Sequence, residues 1–590
     1  MSANDLLSGG EGQRAGALKS LGYAGRVRLH GRFGDRLARA EALYSELSTD
    51  DVLHGFRVRA GMPSSSRGLG GWASETSEMT FGQWVSGLCR MSAVSGNRAP
   101  AEHALDLLSG YLATLRGSLA TDMSLYAWEK LLCGVVDATV FAGFDGATLL
   151  PRLVQAMPAV RGKQDATPTR FMGSSDRRST EWYTLGENLL RAAAAVGDPA
   201  IADRARQFAY PGFWGRLLDG PDGDGHWRVP AFLHAYSHVN SLSSAAAFGT
   251  IDGDPAGIAI ARAGYDWACS TQCFATGGFG PREFTTAQDG SLGASLEWTP
   301  DSAEIVCGTW AAFKLASRLV ESTGSARFLD WAERLLYNGV GSCIEPRPDG
   351  RSPYYDDYRL GSAAKLPYPE AWPCCSGSYA QVVPHVANLV YFSAGADVHV
   401  GLYLDSEARL DLPGSPRLVQ RADLLTGDTS TISVRVDGAP VRFRLRLRAP
   451  PWADSIDVRV NGERHVGRPD DGWIGIDRVW SDADEVVIVF GCTVRAVAVD
   501  PQHPSRIAVV DGPIVLAQEV MDAWPLTLPG PADMLDLPDH LRPDGEGAHS
   551  YRPVAPGSFR MPAGRLHPLA DYPERRPYCV YHDVGRARLI

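Results

Sequence analysis

The sequence predicts a chain in two parts, an α-helical part followed by a β part, and three observations lead to this fold class. From residue 35 to about residue 393, apolar residues recur at three- and four-residue spacing in runs of helix length. Turns of similar sequence, each with a glycine, separate these runs. Around residue 394 the apolar period changes from 3.6 to 2, which indicates strands. We therefore expect domains at residues 1–393 and 394–590.

The helical part is predicted to be a series of helix pairs. Turns such as Ser95-Gly96-Asn97 and Thr323-Gly324-Ser325 end one helix on glycine and begin the next with a short polar residue. Repeated hairpins, with about twelve helices in all, favour a closed toroid over a simple bundle. We therefore predict an (α/α)6 barrel. The clearest helical runs cover residues 81–93, 101–115, 125–141, 181–195, 303–320 and 328–337.

The β part has hairpin signals between its alternating segments. Val441–Arg448 alternates strictly between apolar residues and arginine or polar residues, as expected of a strand with one solvated face. Asp437-Gly438 opens the turn before it, and Asn461-Gly462 follows the segment Ile456–Val460. Further strands are expected at Glu485–Phe490 and Arg506–Val510. We predict one or two β-sandwich domains.

Composition argues against two classes of partner. The net charge of -11 disfavours nucleic acid and anionic membranes, because both reward a basic surface. The sequence has no run of about 18 apolar residues, so we expect no membrane span. The segment Met1–Asp5 is not a basic region followed by an apolar one, so we expect no signal peptide and a cytoplasmic location. The ten cysteines are then expected to be thiols.

The adjacent residues Cys374 and Cys375 are the most informative chemical feature. A disulfide between neighbours is strained, but both thiolates can face one soft cation such as zinc. The pair follows Pro373 and precedes an amphipathic run near Tyr379. This places it at a helix N-terminus, where the helix dipole favours a thiolate. The alternative is that both are small buried apolar residues.

A second pair of candidate ligands lies earlier in the chain. Glu304 and Cys307 are three residues apart, so on a helix they share a face. Together with Cys374 and Cys375 they make a set of one glutamate and three cysteines, enough for a tetrahedral zinc site. These ligands would come from different hairpins, and their spacing does not resemble a zinc finger.

Four further residues are weaker candidates when taken singly. Glu283 follows the Gly-rich stretch Thr276–Gly280, where a carboxylate can project into a cavity or be a solvated surface acid. His238 lies on a helix rich in small residues, where a histidine is more often a core residue with its hydrogen bonds satisfied. Glu187 and Glu333 lie on helices whose other faces are apolar, and each alone would be a surface acid.

Taken together, these stretches resemble the β-L-arabinofuranosidase-like glycoside hydrolases, family 127 and its relatives. The likeness extends over most of the chain, and its motifs are specific as a set. They are Gly55-Phe56-Arg57, Tyr126–Asp137, Thr276–Gly280, Ala332–Val340, Cys374-Cys375 and Gly512-Pro513. The resemblance implies an (α/α)6 barrel before β-sandwich domains, and retaining hydrolysis of a small carbohydrate or glycoside, an L-arabinofuranoside or a related sugar.

The resemblance also implies roles for individual residues. Cys374 corresponds to the nucleophile and Glu283 to the acid/base, and zinc is the implied cofactor. The implied zinc ligands are Glu304, Cys307, Cys374 and Cys375. His238 and Glu333 match positions that contact the sugar. Our full set of predicted substrate contacts is His238, Glu333, Glu129, Glu187 and Tyr355. A homodimer through the β domains is one assembly compatible with this organisation.

Two departures from the family pattern keep other functions open. The family's ligand motif is Glu-x-Cys, whereas Glu304 stands three residues before Cys307 and Ile305 fills the usual place. The family often has a sugar-binding histidine before Lys130, where this chain has Glu129. One consequence of the change at Glu129 is a substrate sugar other than L-arabinofuranose. The rival function is a zinc-dependent lyase, isomerase or cyclase that reuses the barrel. A non-catalytic scaffold is disfavoured, because Cys374 and Glu283 are both present.

Overall fold

The structure is a computed structural model that describes residues 17–71, 78–115, 119, 123–163, 173–365, 372–520, 531–532, 535–554 and 564–584. Helices dominate from Gly31 to Val390, and strands dominate from Tyr391 onwards. The predicted change from α to β near residue 394 is therefore confirmed. Among the described residues, no helix combines the length and the apolar character that crossing a membrane requires.

Six inner helices pack side by side in a closed ring, the last one against the first. They are α1 (Glu78–Ser95), α2 (Leu125–Ala142), α3 (Gly186–Val196), α4 (Ala235–Ala247), α5 (Ile305–Thr323) and α6 (Cys374–His385). Outer helices connect successive members of the ring. The outer helices are Gly31–Glu46, Thr49–Arg59, Ala99–Thr114, Gly146–Ala156, Pro199–Arg206, Pro211–Leu218, Pro255–Thr271 and Leu329–Leu335. The predicted (α/α)6 barrel is confirmed.

Glycines end several inner helices, as the sequence predicted for the turn at Gly324. Gly143, Gly197 and Gly324 follow α2, α3 and α5 with φ of 74°, 69° and 76°, in the left-handed region that glycine enters without steric cost. The inner helices are buried on nearly all sides, and α5 is buried continuously from Ile305 to Glu321. Polar residues on these helices must therefore find partners inside the barrel.

The β part begins with two sheets that also recruit the start of the chain. The first has the strand order Lys19–Ser20, Tyr391–Ala394, Asp397–Val400, Val441–Arg448, Trp473–Trp480. The second has the order Glu463–His465, Ser455–Val460, Glu485–Gly491, Thr429–Arg435, Arg417–Asp423, Leu404–Arg409, Val27–Leu29. Val441, Phe443, Leu445 and Leu447 are all buried, so the alternation predicted for this strand is confirmed.

A third sheet of eight strands closes the described C-terminal part. Its path is Arg495–Ala498, Arg506–Asp511, Ile514–Glu519, Leu566–Pro568, Tyr551–Pro553, Leu541–Pro543, and the strands Tyr578–Cys579 and Tyr581–Asp583 pair beside it. One small sheet lies inside the helical part, where Ala303–Glu304 pairs with Tyr355–Asp356. This small sheet positions several residues of the site described next.

Candidate active site

Two inner helices bring the candidate metal ligands together at their N-termini. Cys374 and Cys375 are the first two residues of α6, and Pro373 precedes them with an extended backbone. Cys307 lies in the first turn of α5, and Glu304 is the residue just before that helix. The predicted helix N-terminus at the cysteine pair is confirmed. Both helix dipoles therefore favour negative charge on these side chains.

The four side chains form one compact cluster. Cys307 Sγ lies 3.5 Å from Cys374 Sγ and 3.3 Å from Cys375 Sγ. Glu304 Oε1 lies 3.6 Å from Cys374 Sγ and 3.5 Å from Cys375 Sγ. Ser378 Oγ, one turn along α6, is 3.1 Å from Cys307 Sγ. Glu304 therefore reaches the thiols, because it belongs to the short strand before α5 and its side chain does not need to share a helix face with Cys307.

This donor set fits a tetrahedral metal ion. All four residues are buried, and their ligand atoms lie within 4.8 Å of one another. A tetrahedron with metal–sulfur bonds of about 2.3 Å places its sulfur atoms about 3.8 Å apart, close to the separations found here. Glu304 Oε2 is buried without a hydrogen-bond partner. A buried carboxylate among three thiols is costly unless a cation or protons compensate it.

The surroundings distinguish Cys374 from the other two thiols. Hydrogen bonds from Cys307 and Cys375, and the positive charge of Lys130, lower the pKa of Cys374 despite its burial. Burial raises the pKa of both Cys307 and Cys375. Burial and the charge of Cys374 also raise the pKa of Glu304. Cys374 is therefore the thiol of this cluster that ionises most readily.

Glu283 lies at the more open side of the same cluster. It ends the short 3-10 turn Pro281–Glu283, and its side chain is 24% exposed. The hydroxyl of Tyr354 donates a hydrogen bond to Glu283 Oε1, and the hydroxyl of Tyr355 donates to the same oxygen over 3.1 Å. Tyr355, predicted to contact substrate, is thus placed beside Glu283. Glu283 is therefore a partly buried, hydrogen-bonded acid and not the solvated surface acid that was its alternative.

Tyr354 connects Glu283 to Cys374. Its hydroxyl oxygen is 4.0 Å from Cys374 Sγ. Because a hydroxyl hydrogen bond spans about 2.7 Å, Glu283 Oε1 and Cys374 Sγ are at most about 6.7 Å apart. Retaining glycosidases keep their two catalytic groups about 5–5.5 Å apart. A sugar with its anomeric carbon near the sulfur can therefore present its leaving-group oxygen to Glu283.

His234 is a site residue that the sequence reasoning missed. Its Nδ1 is 2.6 Å from Glu181 Oε1, and its Nε2 is 3.9 Å from Glu283 Oε2. Burial alone would lower the pKa of His234, but the nearby carboxylates of Glu181, Glu304 and Glu283 together outweigh burial and raise it to about 9. The signal that could have identified His234 is its position just before α4, at the N-terminus of that helix.

His238, the predicted sugar contact, lies one turn further into α4. Its Nδ1 is 2.8 Å from the carbonyl oxygen of His234, and its ring lies 4.6 Å from that of Tyr183 and 5.0 Å from that of Phe213. Burial lowers the pKa of His238 to about 3, so the ring is neutral. His238 therefore has the environment of a core histidine whose hydrogen bonds are satisfied, which was the alternative to a sugar contact. Its contact with the sugar stays a prediction.

Glu129 is held by its neighbours. Its Oε1 accepts a hydrogen bond of 2.7 Å from Asn188 Nδ2, and its Oε2 lies 2.7 Å from Lys130 Nζ. Lys130 Nζ also donates to the hydroxyl of Tyr236 over 2.6 Å and lies over the ring of Tyr126. The residue in the family's histidine position therefore fixes Lys130, whose charge lowers the pKa of Cys374.

Glu187 and Glu333 are buried in ion pairs, so the expectation that they are surface acids is wrong. Glu187 accepts from Lys314 Nζ over 2.7 Å and from the guanidinium of Arg318 over 2.9 Å. Despite burial, these two cations lower the pKa of Glu187. Glu333 accepts two hydrogen bonds from Arg448, of 2.8 and 2.7 Å, and one from Trp452. None of these partners is Cys374 or Glu283. The predicted sugar contacts of Glu187 and Glu333 stay predictions.

Two family models match most of the chain. The family model described as the β-L-arabinofuranosidase GH127 catalytic domain matches residues 26–388, and that of the GH127 middle domain matches residues 397–491. The search of curated proteins finds no match.

Solved structures agree with the fold. A GH127 β-L-arabinofuranosidase from Geobacillus stearothermophilus T6 superposes with a TM-score of 0.68 and 18% identity, over 95% of this chain and 100% of that one. A second GH127 β-arabinofuranosidase gives a TM-score of 0.69 and 18% identity, over 97% of this chain and 98% of the other. A structure described as a glycoside hydrolase gives 0.67 and 17%, over 98% and 100%.

Proposed function

Since the chain belongs to the β-L-arabinofuranosidase family GH127 of glycoside hydrolases, we propose that it is a retaining enzyme for an L-arabinofuranoside or a related sugar. The observation that carries this proposal is the arrangement of Cys374, Tyr354 and Glu283, which supports a nucleophile and an acid/base on the two sides of one anomeric carbon. The sugar, the cofactor and the residue roles are all part of the proposal.

In the first step, the thiolate of Cys374 attacks the anomeric carbon and forms a carbon–sulfur bond. Glu283 donates its proton to the glycosidic oxygen, so that the bond to the leaving group breaks and an alcohol departs. Tyr354 and Tyr355 hold the carboxyl group of Glu283 by hydrogen bonds to Oε1. Oε2 is then free to face the glycosidic oxygen, with His234 at 3.9 Å.

In the second step, Glu283 acts as a base. Its carboxylate takes a proton from water, the water oxygen attacks the anomeric carbon, and the carbon–sulfur bond breaks. Cys374 leaves as a thiolate, which is why the surroundings that lower its pKa matter for both steps. The two displacements together retain the configuration of the anomeric carbon.

We propose zinc as the metal of the cluster, held by Glu304, Cys307, Cys374 and Cys375. Thiolates and carboxylates are both zinc ligands, and thiolate ligands select zinc over magnesium or calcium. Bound there, zinc would keep the thiols ionised at neutral pH and improve sulfur as a leaving group. Glu304 has the reach for this role despite its unusual spacing from Cys307.

Elemental analysis of protein purified without added metal tests the zinc proposal. About one zinc per chain is expected, because the four ligands complete a closed set. Protein that contains no zinc, and that gains no thermal stability when zinc is added, would contradict the proposed site. Copper or iron in place of zinc would leave the site but change its metal.

The rival function is a lyase, isomerase or cyclase on a small metabolite. It draws on Glu129, which occupies a position where the family often has a sugar-binding histidine. Screening the protein on nitrophenyl furanosides and pyranosides in parallel with a metabolite panel separates the two. Release of nitrophenol from a β-L-arabinofuranoside supports the proposal, whereas turnover confined to the metabolite panel supports the rival.

Three further predictions accompany the proposed function. They are a division into domains at residues 1–393 and 394–590, a cytoplasmic location, and a homodimer through the β domains. The strands Lys19–Ser20 and Val27–Leu29 pair with strands of the β part, so the proposed first domain also contributes two strands to the second.

A further inference from the structure

Two aromatic side chains stand out at the surface of the described chain. Phe232 is 59% exposed and Trp298 is 58% exposed. The other six large apolar residues with high exposure in the described part are valines and a leucine. Most aromatic rings in the described part of the chain are buried, so two half-exposed rings beside Glu283 indicate a binding surface.

Both rings contact residues adjacent to Glu283. On one side, the ring of Phe232 packs edge-to-face on that of Phe284, with centroids 6.1 Å apart. On the other side, the guanidinium of Arg282 lies 5.7 Å from the ring of Trp298. The two exposed rings are therefore held by the residue that precedes Glu283 and by the residue that follows it.

The backbone fixes this arrangement. The amide of Phe232 donates to the carbonyl oxygen of Thr285 over 2.9 Å, and the amide of Arg282 donates to that of Asp301 over 2.8 Å. Arg282 and Glu283 have φ of 52° and 70°, which lie in the left-handed region that side chains rarely adopt. The loop is thus tied to the segments before α4 and after Trp298 in one defined conformation.

Solvent exposure increases along the site from Cys374, through Glu283, to the two aromatic rings. Cys374 is 3% exposed, whereas the side chain of Glu283 is 24% exposed and the two rings are more than half exposed. The sugar that is attacked must therefore lie at the buried end, beside the sulfur. The leaving group is the part that Glu283 protonates, so it extends from Glu283 towards the exposed rings.

We propose that Phe232 and Trp298 form a binding subsite for a second sugar ring, the one on the leaving-group side of the scissile bond. Aromatic faces bind the C–H surface of a sugar, and the Arg282 guanidinium offers hydrogen-bond donors to its hydroxyl groups. The substrate class that fits is a di- or oligosaccharide that loses one terminal sugar at a time. This inference rests on the proposed function.

The test compares two substrates that differ only in the leaving group, a β-L-arabinofuranosyl disaccharide and methyl β-L-arabinofuranoside. Trp298→Ala and Phe232→Ala should each lower kcat/KM for the disaccharide by about tenfold, mainly through KM, because each removes one stacking face. The kcat/KM for the methyl glycoside should change by less than about twofold, because it has no second ring. Val466→Ala, at a residue 88% exposed in the β part, is the matched control.

Each other outcome overturns the inference. Equal losses on both substrates would mean that the rings support the catalytic loop and do not bind a sugar. Unchanged kinetics on both substrates would remove the rings from substrate binding. A wild type that cleaves neither substrate would contradict the proposed function itself, and the inference with it. Retained thermal stability of Trp298→Ala, which changes an exposed side chain, confirms that the comparison is made on folded protein.

Discussion

Two groups of glutamates inside the helical part differ in how completely the protein pairs them. Glu187 and Glu333 have cations or donors on both carboxylate oxygens, supplied by Lys314, Arg318 and Arg448. Glu304 has one oxygen on the thiols and the other without a partner. The first arrangement is complete within the protein, whereas the second leaves a carboxylate oxygen that a proton or a bound cation can compensate.

This difference distinguishes glutamates that stabilise the fold from glutamates that can bind a metal or a substrate. Breaking the ion pair of a fully paired buried carboxylate strongly destabilises the fold. Such a carboxylate has no hydrogen-bonding capacity left for a ligand. The cluster at the N-termini of α5 and α6 keeps capacity for a metal, and Glu283 beside it keeps Oε2 for a substrate. Helix N-termini also stabilise negative charge, so open anionic groups are tolerated there.

Of the substitutions considered, Cys374→Ser should lower the activity most. Serine is a weak nucleophile at its free pKa and a poor zinc ligand, so kcat should fall by about 10⁴-fold or more and bound zinc should decrease. Steady-state kinetics and elemental analysis measure both. The control is Cys343→Ser, at a buried cysteine that contacts Arg36 and the carbonyl oxygen of Val340, which should keep its activity.

Glu283→Gln should remove proton transfer without removing the metal. We expect kcat to fall by about 10²–10⁴-fold on an unactivated glycoside, with zinc content unchanged, because Glu283 is a proton donor and not a ligand. A nitrophenyl leaving group needs little protonation and should partly rescue the first step. Near-normal turnover of an unactivated substrate by this variant would show that the acid/base is another residue. Glu297→Gln, at a more exposed acid, serves as the control.

Glu333→Gln should lower the stability of the fold, because Glu333 is buried in a pair with Arg448. Breaking the buried pair with Arg448 should lower the free energy of unfolding by about 3 kcal/mol, the lower end of the cost for a buried pair, because Asp330 still pairs with Arg448. Denaturant unfolding measures this loss. The KM of the folded variant tests the predicted sugar contact separately, and an unchanged KM would contradict that contact. Glu407→Gln, in a more exposed pair with Arg417, should cost less than about 1 kcal/mol. A raised KM at full stability would instead support the predicted sugar contact of Glu333.

The charge of His234 should appear as a pH dependence of stability. Its folded pKa of about 9 lies above the ordinary value of 6.5 because the carboxylates of Glu181, Glu304 and Glu283 together outweigh burial. The protonated histidine therefore stabilises the fold fully below pH 6.5, and this contribution is lost as pH rises through 9. It amounts to about 3 kcal/mol, relative to the double variant Glu181→Gln/His234→Gln. A difference in unfolding free energy that stays constant from pH 6 to 10 would contradict the assignment.

The sequence was sufficient for the fold class and for the cysteine cluster, for identifiable reasons. The change of apolar period marks the start of the strands, and adjacent cysteines after Pro373 indicate a helix N-terminus. Glu304 illustrates a partial success, since it was placed on a helix face but lies in a short strand paired with Tyr355 and Asp356. The four predicted ligands still lie together, because the side chain of Glu304 reaches the thiols from that strand.

Other site residues could not be identified from sequence alone. His234 and His238 are the same residue type on neighbouring turns, and only the three-dimensional arrangement shows which one faces Glu283. Glu333 is separated from Arg448 by 115 residues, so no local pattern reveals that its charge is already paired. Contacts between distant segments decide whether a buried acid is structural or available to a ligand.

The identity of the nucleophile is the central claim, and a covalent label tests it most directly. Wild-type protein is incubated with a cyclophellitol-type epoxide of L-arabinofuranose configuration, and the modified peptide is located by mass spectrometry. We expect one adduct per chain, on Cys374, with loss of activity in proportion to labelling. Labelling of Glu283 or Glu304 instead, together with an active Cys374→Ser variant, would assign the nucleophile to a carboxylate and leave the cysteines with the metal alone.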